Sequence, residues 1–100
     1  MKARIYVDKH FAGYLEKVNS GYRFTYIVGY TGPSVSLTMP STRSQYEWDT
    51  FPPFFDGLLP EGMMLEALLK RAKLDRYDFL GQLITVGRDL VGNVTVEGDK

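Results

Sequence analysis

The hydrophobic period changes near the middle of this chain, and that change limits the fold more than any other feature. Ile5 and Val7 alternate with Arg4, Tyr6 and Asp8, a period of two that predicts a half-buried strand near 3–8. Asp8-Lys9-His10 is a polar turn into a second strand near 11–18. Asn19-Ser20-Gly21 turns again, with Gly21 free to take a positive φ. The third strand, near 22–28, puts Tyr22, Phe24, Tyr26 and Val28 on one face and Arg23, Thr25 and Ile27 on the other. Thr31-Gly32-Pro33 marks a turn, and a short strand near 35–38 ends before Pro40. Beyond Phe54 the spacing becomes helical. Pro60-Glu61-Gly62 opens a helix near 60–73, with Glu61 at the positive end of its dipole and Met64, Leu65, Leu68 and Ala72 on one face. Asp75 reads as the N-cap of a helix near 76–86 that stops at Gly87, and 93–96 return to strand pattern. The expected fold is α+β: an antiparallel meander with two helices packed on it, forming a single domain over 1–100.

Composition narrows the chemistry. The 100 residues contain no cysteine and one histidine, which excludes disulfide scaffolds and thiolate zinc sites and disfavours a Ser/His/Asp enzyme. Twelve basic and twelve acidic residues cancel, so a general polyanion binder is not expected. The longest apolar runs fall far short of the ~20 residues of a membrane helix, and the N-terminus has no continuous signal-peptide core. The cytoplasm is the expected compartment, with no membrane partner. Gly29 to Ser34 is glycine-bearing but lacks the lysine of a phosphate loop and precedes a strand. No nucleophile has a base and an orienting partner at motif spacing. Neither catalysis, nor a cofactor, nor a metal is expected. The late basic cluster of Lys70, Arg71, Lys73, Arg76 and Arg88 reads first as cations favouring a helix C-terminus. Its alternative is an electropositive patch facing nucleic acid or an acidic partner.

The aromatic residues are unevenly placed. Tyr46, Trp48, Phe51, Phe54 and Phe55 fall within ten residues. Phe54 and Phe55 suit a plug between the helical half and the sheet. Trp48, the single tryptophan, lies between Glu47 and Asp49 in what reads as an exposed loop after a Ser/Thr/Gln-rich stretch. An exposed tryptophan with aromatic neighbours has the character of a hot-spot anchor, and Pro52-Pro53 would stiffen its segment. Trp48, Tyr46, Phe51 and Asp49 are therefore the expected partner-binding residues.

Phe54-Phe55-Asp56-Gly57-Leu58-Leu59-Pro60-Glu61-Gly62 resembles the F-F/N-x-x-L-L-P-E-G element of the N-terminal domain of HipA-type serine/threonine kinases. Gly87-Arg88-Asp89-Leu90-Val91-Gly92 resembles the family's G-R-D-x-x-G turn, and Leu37-Thr38-Met39-Pro40 its S-L-S-L-P stretch. The resemblance makes Phe54, Phe55, Leu58, Leu59, Pro60, Glu61, Gly87, Arg88, Asp89 and Gly92 structural motif residues. In that family the domain precedes a larger catalytic region carrying the nucleotide-binding loop and the catalytic and metal-binding aspartates. A detached version is similar to the HipS antitoxins of three-component HipBST toxin–antitoxin systems. The resemblance thus implies an antitoxin that binds and inhibits a HipT-like kinase directly, with a HipB-like DNA-binding protein in the same complex and no direct nucleic-acid contact. The alternative it leaves is a non-catalytic subunit that completes or activates a split HipA-like kinase.

Overall fold

The computed structural model describes residues 1–90 and 92–99; Val91 of the expected motif turn, and Lys100, lie outside the described residues. Strand β1 (Lys2–Val7) buries Ala3, Ile5 and Val7 completely and turns Arg4 and Tyr6 the other way, the alternation its sequence predicts. Asp8 and Lys9 both adopt positive φ (50° and 71°) in the two-residue turn to β2 (His10–Val18). Such turns match the twist of the strands they join. β3 (Gly21–Tyr26) continues the meander and buries Tyr22, Phe24 and Tyr26. It stops two residues before the expected end, and Val28 is fully exposed.

The expected strand near 35–38 does not form. Ser36 and Met39 make a single bridge, Val35 and Met39 are buried, and Leu37 stands exposed at the tip between them. Two features work against it. Pro33 and Pro40 bracket the segment and have no N–H to give a ladder. The Tyr26 hydroxyl meanwhile accepts from the Val35 N–H (2.9 Å) and donates to the Met39 carbonyl, which folds the segment back on itself. The fourth strand is instead β4 (Gln45–Trp48), antiparallel to β3. β5 (Val94–Gly98) pairs with β1, so the sheet order is β4-β3-β2-β1-β5.

Of the three described helices, the first and third cover one face of this sheet, and the second packs against the third. α1 (Pro53–Asp56) is a single turn with proline at its first position, and it buries Phe55. α2 (Gly62–Ala72) starts two residues later than the sequence predicts, because Glu61 is extended (φ −127°, ψ 165°) and serves as the N-cap residue. α3 (Phe79–Val86) is capped by Asp78, whose carboxylate accepts from the Gly81 N–H at 2.9 Å. Asp75, the expected cap, accepts from the Tyr77 N–H (2.7 Å) in the preceding turn, which moves the helix start from 76 to 79. The buried Gln82 side chain donates to the carbonyls of Asp75 and Arg76 (3.3 and 2.9 Å), tying that turn to α3. Leu80 and Leu83 of α3 and Phe55 of α1 join Ile5, Leu15, Phe24, Val94 and Val96 in one hydrophobic core. The α+β architecture with an antiparallel sheet is the expected one. None of the described helices is long and apolar enough to cross a membrane.

Tyr22, Tyr26 and Tyr30 have their phenol pKa values raised, in each case chiefly by burial; at Tyr26 the Val35 N–H opposes that shift. A phenol whose folded pKa is raised holds its proton more tightly in the native state. The stability it contributes is complete below the ordinary tyrosine value of about 10 and is lost as pH rises through the folded value. Urea melts should therefore weaken above about pH 10. Tyr26→Phe should cost about 1–3 kcal/mol at neutral pH, because it leaves the Val35 N–H and the Met39 carbonyl unpaired. It should also flatten the alkaline fall. Equal urea midpoints for the two proteins at pH 7 would remove the hydroxyl from the fold's support.

Candidate partner-binding surface

β4 is the edge strand on its side of the sheet, and its register decides what it presents. Trp48 stands opposite Tyr22 and Tyr46 opposite Phe24, so both point to the helix-covered face; Glu47 and Gln45, opposite Arg23 and Thr25, point to the open face. At the sheet margin the helices no longer cover the row. Tyr46 and Trp48 are consequently half-buried, one flank against the core and the other open. Their rings stack at 6.3 Å with 22° between planes. The Tyr46 hydroxyl donates to the Pro40 carbonyl (2.6 Å), and the Arg43 guanidinium lies 4.9 Å from its ring centroid.

This ridge separates two hollows. One of about 240 Å³ is lined by Thr38, Met39, Arg43, Tyr46, Trp48 and Phe54. The other, about 560 Å³ and more open, runs from Ser20 and Tyr22 past Trp48 to Thr50 and Pro53. A ridge between hollows suits reception of another protein's side chains on either flank. The charges here are largely settled within the domain. Arg23 contacts Glu47 at 2.9 Å and Glu16 at 3.6 Å, leaving Asp49 as the exposed acid next to the ridge.

The structure brings Tyr46, Trp48 and Asp49 together at the sheet edge but places Phe51 differently. Phe51 is only 7% exposed, edge-on to Tyr22 (5.1 Å, 84°) and 5.4 Å from Phe79. It ties the end of β4 to the start of α3 and is not displayed to a partner. Nor is Trp48 on a loop, as the flanking acids suggested; Gln-Tyr-Glu-Trp alternates with period two and forms a strand. Arg43 is a ridge residue with no local sequence signal, since only the fold sets it over Tyr46. Leu37 joins the neighbourhood through the tight turn whose Thr38 and Met39 line the smaller hollow.

The motif residues divide by position. Phe55 is fully buried against Phe24 (6.2 Å), while Phe54 packs edge-on to Phe55 and reaches the smaller hollow. Leu58 and Leu59 pack on the core from its margin, and Pro60 is half-buried. Glu61 is exposed and makes no side-chain capping bond. The Val96 N–H donates to the Gly87 carbonyl (2.9 Å), and a Cβ on Gly87 would lie 2.0 Å from the Val96 carbonyl oxygen, so only glycine fits there. Arg88 reaches Glu97 at 3.6 Å, and Asp89 and Gly92 are exposed.

A five-stranded antiparallel sheet, helices on one face and an aromatic edge define a small α+β domain whose distinctive chemistry lies at the sheet margin. The family model of the HipA N-terminal domain matches residues 3–97, and the chain belongs to that family. It is similar to a solved structure described as the N-terminal domain of HipA toxin, with a TM-score of 0.79 and 27% identity over 99% of this chain and 92% of that one. It is also 28% identical over 97 residues to an uncharacterized protein of Haemophilus influenzae, covering 97% of this chain and 92% of the relative.

The position of the ridge depends on the β2–β3 turn. A Cβ on Gly21 would lie 2.0 Å from the Trp48 carbonyl oxygen, inside any permitted contact. Gly21→Ala should push β4 off β3, destabilise the domain by about 1–3 kcal/mol and shift the emission of the single tryptophan to the red. An unchanged emission maximum with unchanged melting would show that β4 is held independently of this contact.

Proposed function

We propose that this domain is a non-catalytic antitoxin that binds a HipT-like serine/threonine kinase through the Tyr46–Trp48 ridge and restrains it. The observation that carries this reading is the half-exposed stacked pair on an edge strand, flanked by hollows, in a chain of the HipA N-terminal domain family. In the kinases the family is named for, this domain accompanies a catalytic region; here it would dock on a separate kinase polypeptide. Trp48 supplies the large, rigid contact and Arg43 a charge beside it, while Pro52-Pro53 and α1 hold the strand end in place. The kinase would modify an aminoacyl-tRNA synthetase to arrest translation. A HipB-like protein would bring the DNA contact, and the complex would act in the cytoplasm.

Co-production with the kinase, followed by assay of kinase and substrate phosphorylation, tests the reading by its sign. Inhibition supports an antitoxin; activation would make the domain a completing subunit instead. Inhibition competitive with ATP would place the ridge at the kinase cleft, whereas non-competitive inhibition would indicate a held inactive arrangement of the lobes. Trp48→Ala should keep the far-ultraviolet dichroism of the parent and lose at least about 2 kcal/mol of binding, roughly 30-fold in Kd. Full growth rescue by that variant at matched expression would remove Trp48 from the interface.

A further inference from the structure

The second surface lies on α2, remote in sequence from the ridge and unused by the reading above. α2 is a poorly covered helix. Of its eleven residues only Leu68 is fully buried, with Leu65, Leu69 and Ala72 half-buried beside it. A helix this short is marginal by itself in water, so it depends on what packs against it. Two large apolar side chains are nevertheless exposed on it: Met63 at 89% on the side away from Leu68, and Met64 at 74% one turn before Leu68, at the edge of the covered face. At 100° per residue, Met63, Ala67 and Lys70 form one outward stripe; Met64 and Arg71 lie about 100° round from it, on the row of the buried Leu68, with both ends of that row exposed. Each stripe begins apolar and ends in a cation seven residues on, roughly 10 Å along the axis.

Lys73, at the left-handed C-cap, adds a third exposed cation. Among the described residues, none of Lys70, Arg71 and Lys73 has a carboxylate within ion-pair distance. The one acid on the outer part of the helix that could answer them, Glu66, is held by Arg76 at 2.7 Å. The helix dipole accounts for cations near a C-terminus. It does not account for two exposed methionines upstream of them on the same stripes.

We propose that the outer face of α2 docks an acidic amphipathic segment of a partner protein. An apolar side chain of that segment would seat between Met63 and Met64, whose flexible thioethers adapt to varied shapes. Its carboxylates, about two turns further on, would meet Lys70, Arg71 and Lys73. The charge pattern selects this occupant. Three unpaired cations favour an acidic partner, and the methionines add an apolar contact that neither a phosphate backbone nor a second copy of the same basic helix end would complement.

The probe is a synthetic 16-residue helical peptide with a leucine stripe and glutamates on the following turn, compared with its isomer carrying lysine for glutamate. Titration into the isotopically labelled domain should move the backbone amides of 62–73 and leave those of 45–50 in place, with the lysine isomer inert. The triple variant Lys70→Glu, Arg71→Glu, Lys73→Glu should bind the acidic peptide at least tenfold more weakly, and Met63→Ser with Met64→Ser at least fivefold. Thermal melts would confirm that both variants fold. Trp48→Ala should bind it as the parent does, which separates failure of this surface from failure of the ridge. Equal binding of both isomers, or shifts outside α2, would overturn the proposal. So would tighter binding of an oligothymidylate or of anionic phospholipid vesicles at the same residues in matched salt, or self-association through the methionines.

Discussion

The Tyr26 hydroxyl is the contact on which the upper end of this domain depends. Strand β3 ends at Tyr26, and the chain then wanders through residues 27–44 before it returns as β4. An excursion of that length costs entropy and carries backbone groups that need partners. The phenol satisfies two of them from inside the core, the Val35 N–H and the Met39 carbonyl. The stacked Tyr30 ring, 5.4 Å away, and its own bond to the Pro33 carbonyl hold the flank. Met39 is thereby fixed as a wall of the smaller hollow, and Pro40 as the acceptor that orients Tyr46. A hydroxyl in the core thus sets the shape of the surface at the sheet edge.

The sheet is covered on one side only, and this makes its two faces and two edges different in kind. The open face carries Arg4, Glu16, Arg23, Glu47 and Glu97 in short ion pairs and hydrogen bonds, with Tyr6, Phe11 and Tyr14 packed among them. Such a face is self-satisfied: its charges are spent locally. At the β5 edge the Val96 N–H is taken by the Gly87 carbonyl. The β4 edge keeps an open flank, and it carries the aromatic pair. An unpaired edge invites indiscriminate strand addition, and proteins blunt such edges with short strands and charge. β4 follows that rule, having four residues, Glu47 among them, and Pro52-Pro53 soon after. What remains for recognition is the side chains.

Much of this was legible in the residues and some was not, for identifiable reasons. Alternation in 3–26 marked three strands because one face is fully buried, so every second position is constrained. The fourth strand forms at Gln45–Trp48 and not near 35–38, although Val-Ser-Leu-Thr and Gln-Tyr-Glu-Trp offer similar local patterns. The choice between them is made by prolines and by a hydroxyl nine residues back in the chain, a tertiary contact with no local signature. The α3 cap slipped by three residues for a related reason: Asp75 and Asp78 are both competent, and the buried Gln82 amide selects the turn. At the site, Trp48 stood out by chemistry alone. Phe51 looked equivalent to it by neighbourhood, yet the strand's end directs one ring to the margin and the other into the core.

That division between Trp48 and Phe51 is also what makes the ridge rigid. Phe51 bridges Tyr22 of the sheet and Phe79 at the head of α3, so the segment carrying Trp48 is anchored three residues away in the shared core. Pro53 then begins α1 without a flexible joint. A side chain mounted this way loses little freedom on docking, and binding costs are dominated by such losses. The free and bound forms of the ridge should accordingly be alike. Energy that a loop-borne tryptophan would spend on ordering would, in the proposed complex, lengthen its lifetime instead.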